Sequence, residues 1–348
     1  MPSSARAKKR RNRIERWSGL PDAELLKWRF RELGLNTGNS ILGPDIQHLY
    51  DTLERRGIGF RPHIWLSTDW FSPDGIPGIA VPFFAAHPRL ARLERRMSGE
   101  AEGANRVWRR RILRHEAGHA LDTAYGLRRR AGWRKVFGHA SKPYPSAYAV
   151  RPASRRFVQH LGHWYAQSHP TEDFAETFAV WLQPKARWRR DYEGWPALEK
   201  LEYVDELMAE IAGRRPRNSN RSVIAPISEN RRTLGEHYRR RASQTDANER
   251  RYDAWLKRAF VRRSARPHAM SAGVFLARAE SEIKRSILGR TRTGAYLFAH
   301  VASALRRRAR ELDLAVRGSK RDAKATAIRL HRRVMTDLLQ RNRERYLI

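Results

Sequence analysis

Not one cysteine occurs among the 348 residues, and this absence constrains what the chain can build. Disulfide staples, thiolate nucleophiles, cysteine-based zinc ribbons and iron–sulfur sites are all removed at once. Stability must come from burying apolar side chains, and any metal must sit on histidine and carboxylate. The material for a core is present: 41 % of the residues are apolar and eleven are tryptophan, enough for one large domain or two ordinary ones.

The charge balance is lopsided. Lys and Arg total 71 against 36 Asp and Glu, a formal charge of +35 at pH 7. Residues 231–348 hold 31 of the basic residues and 11 of the acidic ones, so much of the excess lies in the last third of the chain. Arginine runs such as Arg239 to Arg241 and Arg306 to Arg308 can neutralise nucleic-acid phosphates without reading sequence. Aromatics are sparse between Ala299 and Arg345, which argues against a base-stacking platform, and a solvated helix face is the plainer reading. The first sixteen residues are basic with no apolar run behind them, so no secretory signal is expected. The most apolar stretch, Gly78 to Ala86, is interrupted by Pro82 and falls short of the roughly 20 residues a membrane span needs. The expectation is a cytoplasmic protein without membrane contact.

Apolar spacing and turn residues divide the chain. Residues 1–19 read as a basic flexible tail. Leu25, Leu26, Trp28, Phe30 and Leu33 predict a helix running to Gly34, and Ile46, Leu49, Tyr50 and Leu53 predict a second one from Pro44 to Gly57. Phe60 to Ser67 and Gly78 to Phe84 read as two strands of a small sheet, each limited by a proline, with the second offering an edge to an extended peptide. Helical periodicity returns from Ala104 to Ala124. An irregular connection with one short helix leads to a further helix from Pro170 to Pro184, and another covers Leu198 to Ile211. The fold class is α+β over 20–213, followed by a linker at 214–230 and an all-helical basic region over 231–348.

Inside the predicted helix at 104–124 stands His115-Glu116-Ala117-Gly118-His119, an HExxH motif. Histidines four apart lie one turn apart on the same helix face, so both nitrogens reach one zinc, while Glu116 stands to the side near a bound water. A third ligand is required. The metzincin pattern fails, because its Gly and His positions are Asp122 and Tyr125. Asp122 itself reads as a hydrogen-bonding group rather than a ligand. The segment YAQSHPTEDFAETF offers Glu172 and Glu176, one turn apart on an otherwise apolar helix where an unpaired carboxylate is costly. One can ligate the metal while the other orients a histidine, but spacing does not decide which. Phe174, Phe178 and Trp181 on the same helix read as core.

HEAGHALD and YAQSHPTEDFAETFAVWL together resemble the bacterial family of putative zinc-binding metallopeptidases, a gluzincin-like group sharing an E-x-F-A-E-x-F helix with anthrax lethal factor. FRPHIWLSTDWFSPDGIPGIAVPF and HPRLARLER extend the likeness over about 20–213, with TLGEHY at Thr233 a further element. The resemblance implies a zincin-like catalytic domain. It makes Glu172 the third zinc ligand beside His115 and His119, with Glu176 supporting a histidine. It also implies Tyr165, seven residues before Glu172, as the hydroxyl that assists catalysis; Tyr144, Tyr148, His160, His163 and His169 are its rivals. The expected activity is hydrolysis of a peptide or protein substrate by a Zn2+-activated water, with Glu116 as general base. The competing expectation is a basic nucleic-acid-associated helical protein with a structural or vestigial zinc site.

Overall fold

The computed structural model describes residues 12–98, 101–144, 151, 154–161, 164–249, 252–288 and 295–340. The chain divides into two compact units, Met1–Pro145 with Arg151–Tyr238, and Ser146–Val150 with Arg239–Ile348. In the first unit, residues 12–18 form helix α1, although they fall within the expected flexible tail. Trp17 is fully buried and donates its indole N–H to the Leu33 carbonyl at 2.9 Å, which anchors this helix to the core.

The helix expected to run to Gly34 breaks after Asp22–Leu25. Its backbone is used differently. Phe30 and Arg31 donate to the carbonyls of Arg232 and Asn230, while Leu234 and Gly235 donate to Trp28 and Leu26. Pairing with a segment 200 residues away outweighs the local helical periodicity. The second expected helix forms as α2, Gly43–Glu54, with Pro44 in its first turn.

Strands β1, His63–Ser67, and β2, Gly78–Pro82, pair in parallel, with Trp65 opposite Ala80. The edge of β2 expected to receive a peptide is already occupied. Phe71 and Ala80 exchange both backbone hydrogen bonds, and Ser72 donates its hydroxyl to the Gly78 carbonyl at 2.9 Å. Pro82 has no N–H to offer. Across the sheet, Trp65 and Ser67 donate side-chain hydrogens to the carbonyls of Ile224 and Ala225, so part of the stretch expected to be a linker lies along β1.

Helix α3, Pro88–Ser98, precedes the long helix α4, Arg106–Tyr125. Asn105 caps the start of α4 by accepting from the Trp108 N–H at 2.8 Å, and Gly126 ends it in the left-handed conformation, φ 65°, that glycine adopts without strain. Most of the second half of α4 is buried. Helix α6, Pro170–Trp181, packs against α4, and helices α5, Ala131–Phe137, and α7, Ala197–Ile211, pack against α6 in turn. In α6 every residue from Thr171 to Trp181 is buried, and Phe174 and Phe178 lie in the core as expected.

The second unit contains helix α8, Leu234–Glu249, from Arg239 onward, then α9, Asp253–Ala259, α10, Ala272–Leu288, α11, Ala295–Glu311, and α12, Lys320–Gln340. Phe260, Ile283, Phe298, Leu305 and Val334 build its core. The region is not wholly helical. Strands β3, Val261–Arg262, and β4, Leu314–Ala315, form a short antiparallel ladder, which becomes possible where Asp313 at φ 46° turns the chain out of α11. The protein is thus mostly helical with small sheets, an α+β fold. Among the described residues no helix is long and apolar enough to cross a membrane.

One buried carboxylate fixes the start of α4. Asp45 on α2, only 1 % exposed, accepts from Arg109 at 2.5 and 2.8 Å, from Arg110 at 2.6 Å and from Arg106 at 3.2 Å. Burial opposes its charge, but the three guanidinium groups outweigh that cost and hold its pKa below the ordinary aspartate value. A lowered folded pKa means that the stabilisation is present above about pH 4 and is lost as the pH falls through the folded value. Asp45→Asn is therefore expected to lower stability at pH 7 by about 3 kcal/mol. In urea unfolding the gap from wild type narrows as the pH drops below about 4; a gap independent of pH contradicts the assignment.

Candidate metal centre

The site begins with a missing side chain. A Cβ on Gly118 would lie 3.0 Å from the Ala175 Cα and 3.2 Å from Phe178 Cδ1, so α4 and α6 meet almost backbone to backbone. A small residue inside HExxH lets the second helix come close enough for its carboxylates to reach the histidines of the first.

His115, His119 and Glu172 converge. Glu172 Oε2 lies 3.1 Å from His115 Nε2 and 3.1 Å from His119 Nε2, and the two Nε2 atoms are 3.2 Å apart. Glu172 is 4 % exposed and His115 2 %. Glu176 stands behind them. Its Oε1 lies 2.9 Å from His115 Nδ1, and its Oε2 accepts from the Leu161 N–H at 2.8 Å. Spacing left the roles of the two glutamates open, and their surroundings differ. Both oxygens of Glu176 are engaged away from the convergence point, whereas Glu172 aims Oε2 into it.

The hydrogen bonds also set the tautomer of His115. A carboxylate only accepts, so Nδ1 carries the hydrogen given to Glu176, and in the neutral ring Nε2 is a bare lone pair. That lone pair faces the Glu172 carboxylate and the second imidazole nitrogen. Three electron-rich atoms so close together call for a shared cation. Their donor set, two imidazoles and a carboxylate, suits Zn2+. Ligands about 2.0–2.1 Å from a tetrahedral ion stand about 3.3 Å from one another, close to the three separations observed.

Electrostatics point the same way. Burial alone would depress His115 and raise Glu172, yet Glu172 and Glu176 acting on the histidine, and His119 together with His115 acting on Glu172, reverse both. The pKa of His115 lies well above its ordinary value and that of Glu172 well below, so the pocket strongly favours positive charge at its centre. Glu116, buried on the same helix, has its pKa raised by desolvation despite the opposing influence of His115 and His119. The Ser72 hydroxyl oxygen also lies 3.1 Å from the Glu116 backbone carbonyl, which brings the sheet edge against the motif.

The remaining sequence candidates divide. Tyr165 lies in a 3-10 turn, Tyr165–Gln167, that follows Trp164 in a left-handed conformation at φ 53°. Its ring centroid is 5.5 Å from that of His115. Asp122 is turned to Arg128, accepting from its backbone N–H at 2.7 Å and its Nε at 2.5 Å. His160 is buried against the Arg111 carbonyl at 3.0 Å, and burial drives its pKa well below the ordinary value. Tyr148 and His163 lie outside the described residues. Tyr144, weighed only as a rival of Tyr165, contacts the centre directly: its hydroxyl donates to Glu172 Oε1 at 2.6 Å. No spacing rule links Tyr144 to Glu172, which stand 28 residues apart in the chain.

Residues 111–187 match the family described as putative zinc-binding metallo-peptidase. The matched span starts just before His115 and includes Glu172 and Glu176, and it is narrower than the 20–213 over which the likeness was expected. No curated protein and no solved structure matches the chain.

Gly118→Val places branched carbon against the α6 backbone, where no flexible side chain can yield. The expected cost is about 1–3 kcal/mol, as for overpacked cores, together with loss of zinc binding as α6 is pushed away. Calorimetric zinc titration beside thermal unfolding checks this; wild-type zinc affinity in Gly118→Val contradicts it.

Proposed function

We propose that the first unit is a zinc-dependent peptidase in which His115, His119 and Glu172 hold the ion and Glu176 orients His115. The observation that carries this reading is the set of near-equal separations among three ligand atoms, 3.1, 3.1 and 3.2 Å, in a buried pocket. The family match over the same residues supports it. A zinc ion bound there lowers the pKa of a water toward about 7 and polarises a scissile carbonyl.

The chain's own residues do the rest. Glu116 takes the proton of the attacking water and delivers it to the departing amine. Desolvation raises its pKa, which makes the carboxylate a stronger base toward the attacking water. Tyr165, beside His115, donates to the oxygen that gains charge as the carbonyl is attacked. Glu176 keeps His115 in the tautomer that presents Nε2 to the ion. With the β2 edge occupied by Phe71 and Ser72, an extended substrate is held by other means than strand addition there. The competing expectation of a nucleic-acid-associated protein draws on charge alone, and no observed geometry favours it.

Two outcomes test the proposal. Purified protein carries about one zinc per chain, and His115→Ala loses it. Glu116→Gln keeps the metal while peptide hydrolysis falls by about 10²–10⁴-fold, the range general acid–base catalysis supplies. A zinc-free wild type, or a Glu116→Gln enzyme as active as wild type, overturns the assignment.

A further inference from the structure

Glu172 has two carboxylate oxygens, and only Oε2 faces the histidines. Oε1 is held at 2.6 Å by the Tyr144 hydroxyl. That hydroxyl also lies 2.7 Å from Thr171 Oγ1, which in turn lies 2.6 Å from His169 Nδ1. The tyrosine ring stacks on His169, with centroids 3.9 Å apart and planes 14° from parallel. His169 Nε2 is anchored to the Lys142 carbonyl at 2.8 Å.

Each contact has a physical consequence. A carboxylate cannot donate, so the proton between Tyr144 and Glu172 belongs to the tyrosine. The Lys142 carbonyl takes the Nε2 hydrogen of His169, so Nδ1 is left as an acceptor for Thr171, whose hydroxyl oxygen stands against the Tyr144 oxygen. The stacked imidazole fixes the ring plane, and His169 itself is locked at the start of α6, where Thr171 N–H donates to its Nδ1 at 3.2 Å. Tyr144 is 53 % exposed, so core packing does not explain its placement. It is held by polar contacts that end on one oxygen of Glu172.

We infer that Tyr144 is a positioning residue for the metal centre: it immobilises Glu172 Oε1 so that this ligand meets zinc through Oε2 alone. A carboxylate free to rotate can offer both oxygens and crowd the position a water needs, whereas a tethered one presents a single atom in fixed orientation. The inference rests on the proposed zinc site and adds the element that fixes its third ligand. It also separates the two tyrosines: Tyr165, its ring beside His115, is the one assigned to the carbonyl oxygen in the proposed mechanism, and Tyr144 acts through Glu172.

The test is zinc affinity, read by competition with a chromophoric chelator on full-length wild type, Tyr144→Phe and Thr171→Val. Tyr144→Phe is expected to weaken zinc binding by about 10–100-fold, the usual effect of removing a hydrogen bond to a ligand, and Thr171→Val to weaken it by less. Thermal unfolding of the metal-free proteins is expected to be the same for wild type and Tyr144→Phe, because the ring is half exposed. Cobalt substituted for zinc is expected to show altered visible absorption in Tyr144→Phe, reporting a changed ligand shell. If wild type binds zinc and Tyr144→Phe binds it equally well with an unchanged cobalt spectrum, the inference is overturned and the zinc site stands. If wild type binds no zinc, the site itself fails.

Discussion

Everything at the centre depends on how closely two helices approach. Gly118 and Ala175 let α4 and α6 pack nearly backbone to backbone, and the carboxylates of α6 arrive at hydrogen-bonding distance from the histidines of α4 as a result. Side-chain reach is short. Glutamate spans only a few ångströms, so moving the helices apart by one side chain's thickness would break both the Glu172 convergence and the Glu176 bond to His115. The glycine of the motif is thus part of the site's geometry even though it has no chemistry of its own.

Around that contact the structure sorts its charges by burial and partner. Asp45 gathers three arginines at the start of α4, Asp122 takes Arg128 near its end, and Lys200 of α7 pairs with Asp173 on α6 at 2.5 Å. These pairs place the two helices while leaving Glu172 and Glu176 to the histidines. A strongly basic chain can keep these five acidic groups in such different roles because each is desolvated and matched to its own donor. The second unit builds its own core.

Much of the centre was legible in the sequence. Histidines four apart within a helical pattern, and glutamates four apart among apolar residues, are local signals, and local signals survive folding. The α4 and α6 boundaries follow from Asn105, Gly126 and Pro170 for the same reason. What escaped depends on distant pairing. Trp28 and Phe30 have helical spacing, but their backbone bonds to residues 232–234 replace a helix with a bridge. The β2 edge looked available because nothing local reveals that Phe71 folds back onto Ala80. The β3–β4 ladder joins residues more than fifty positions apart within a stretch of helical composition. Tyr144 reaches Glu172 from a connection without periodicity, so its place follows only from three dimensions.

The central claim is that two imidazoles and one carboxylate share a single zinc ion. X-ray absorption at the zinc edge of the purified protein tests it directly. The expected spectrum shows a shell of two imidazole nitrogens with oxygen completing it, at about 2.0–2.1 Å, and the outer-ring scattering that imidazoles give. A shell of oxygen alone, or of more than two imidazoles, would contradict it.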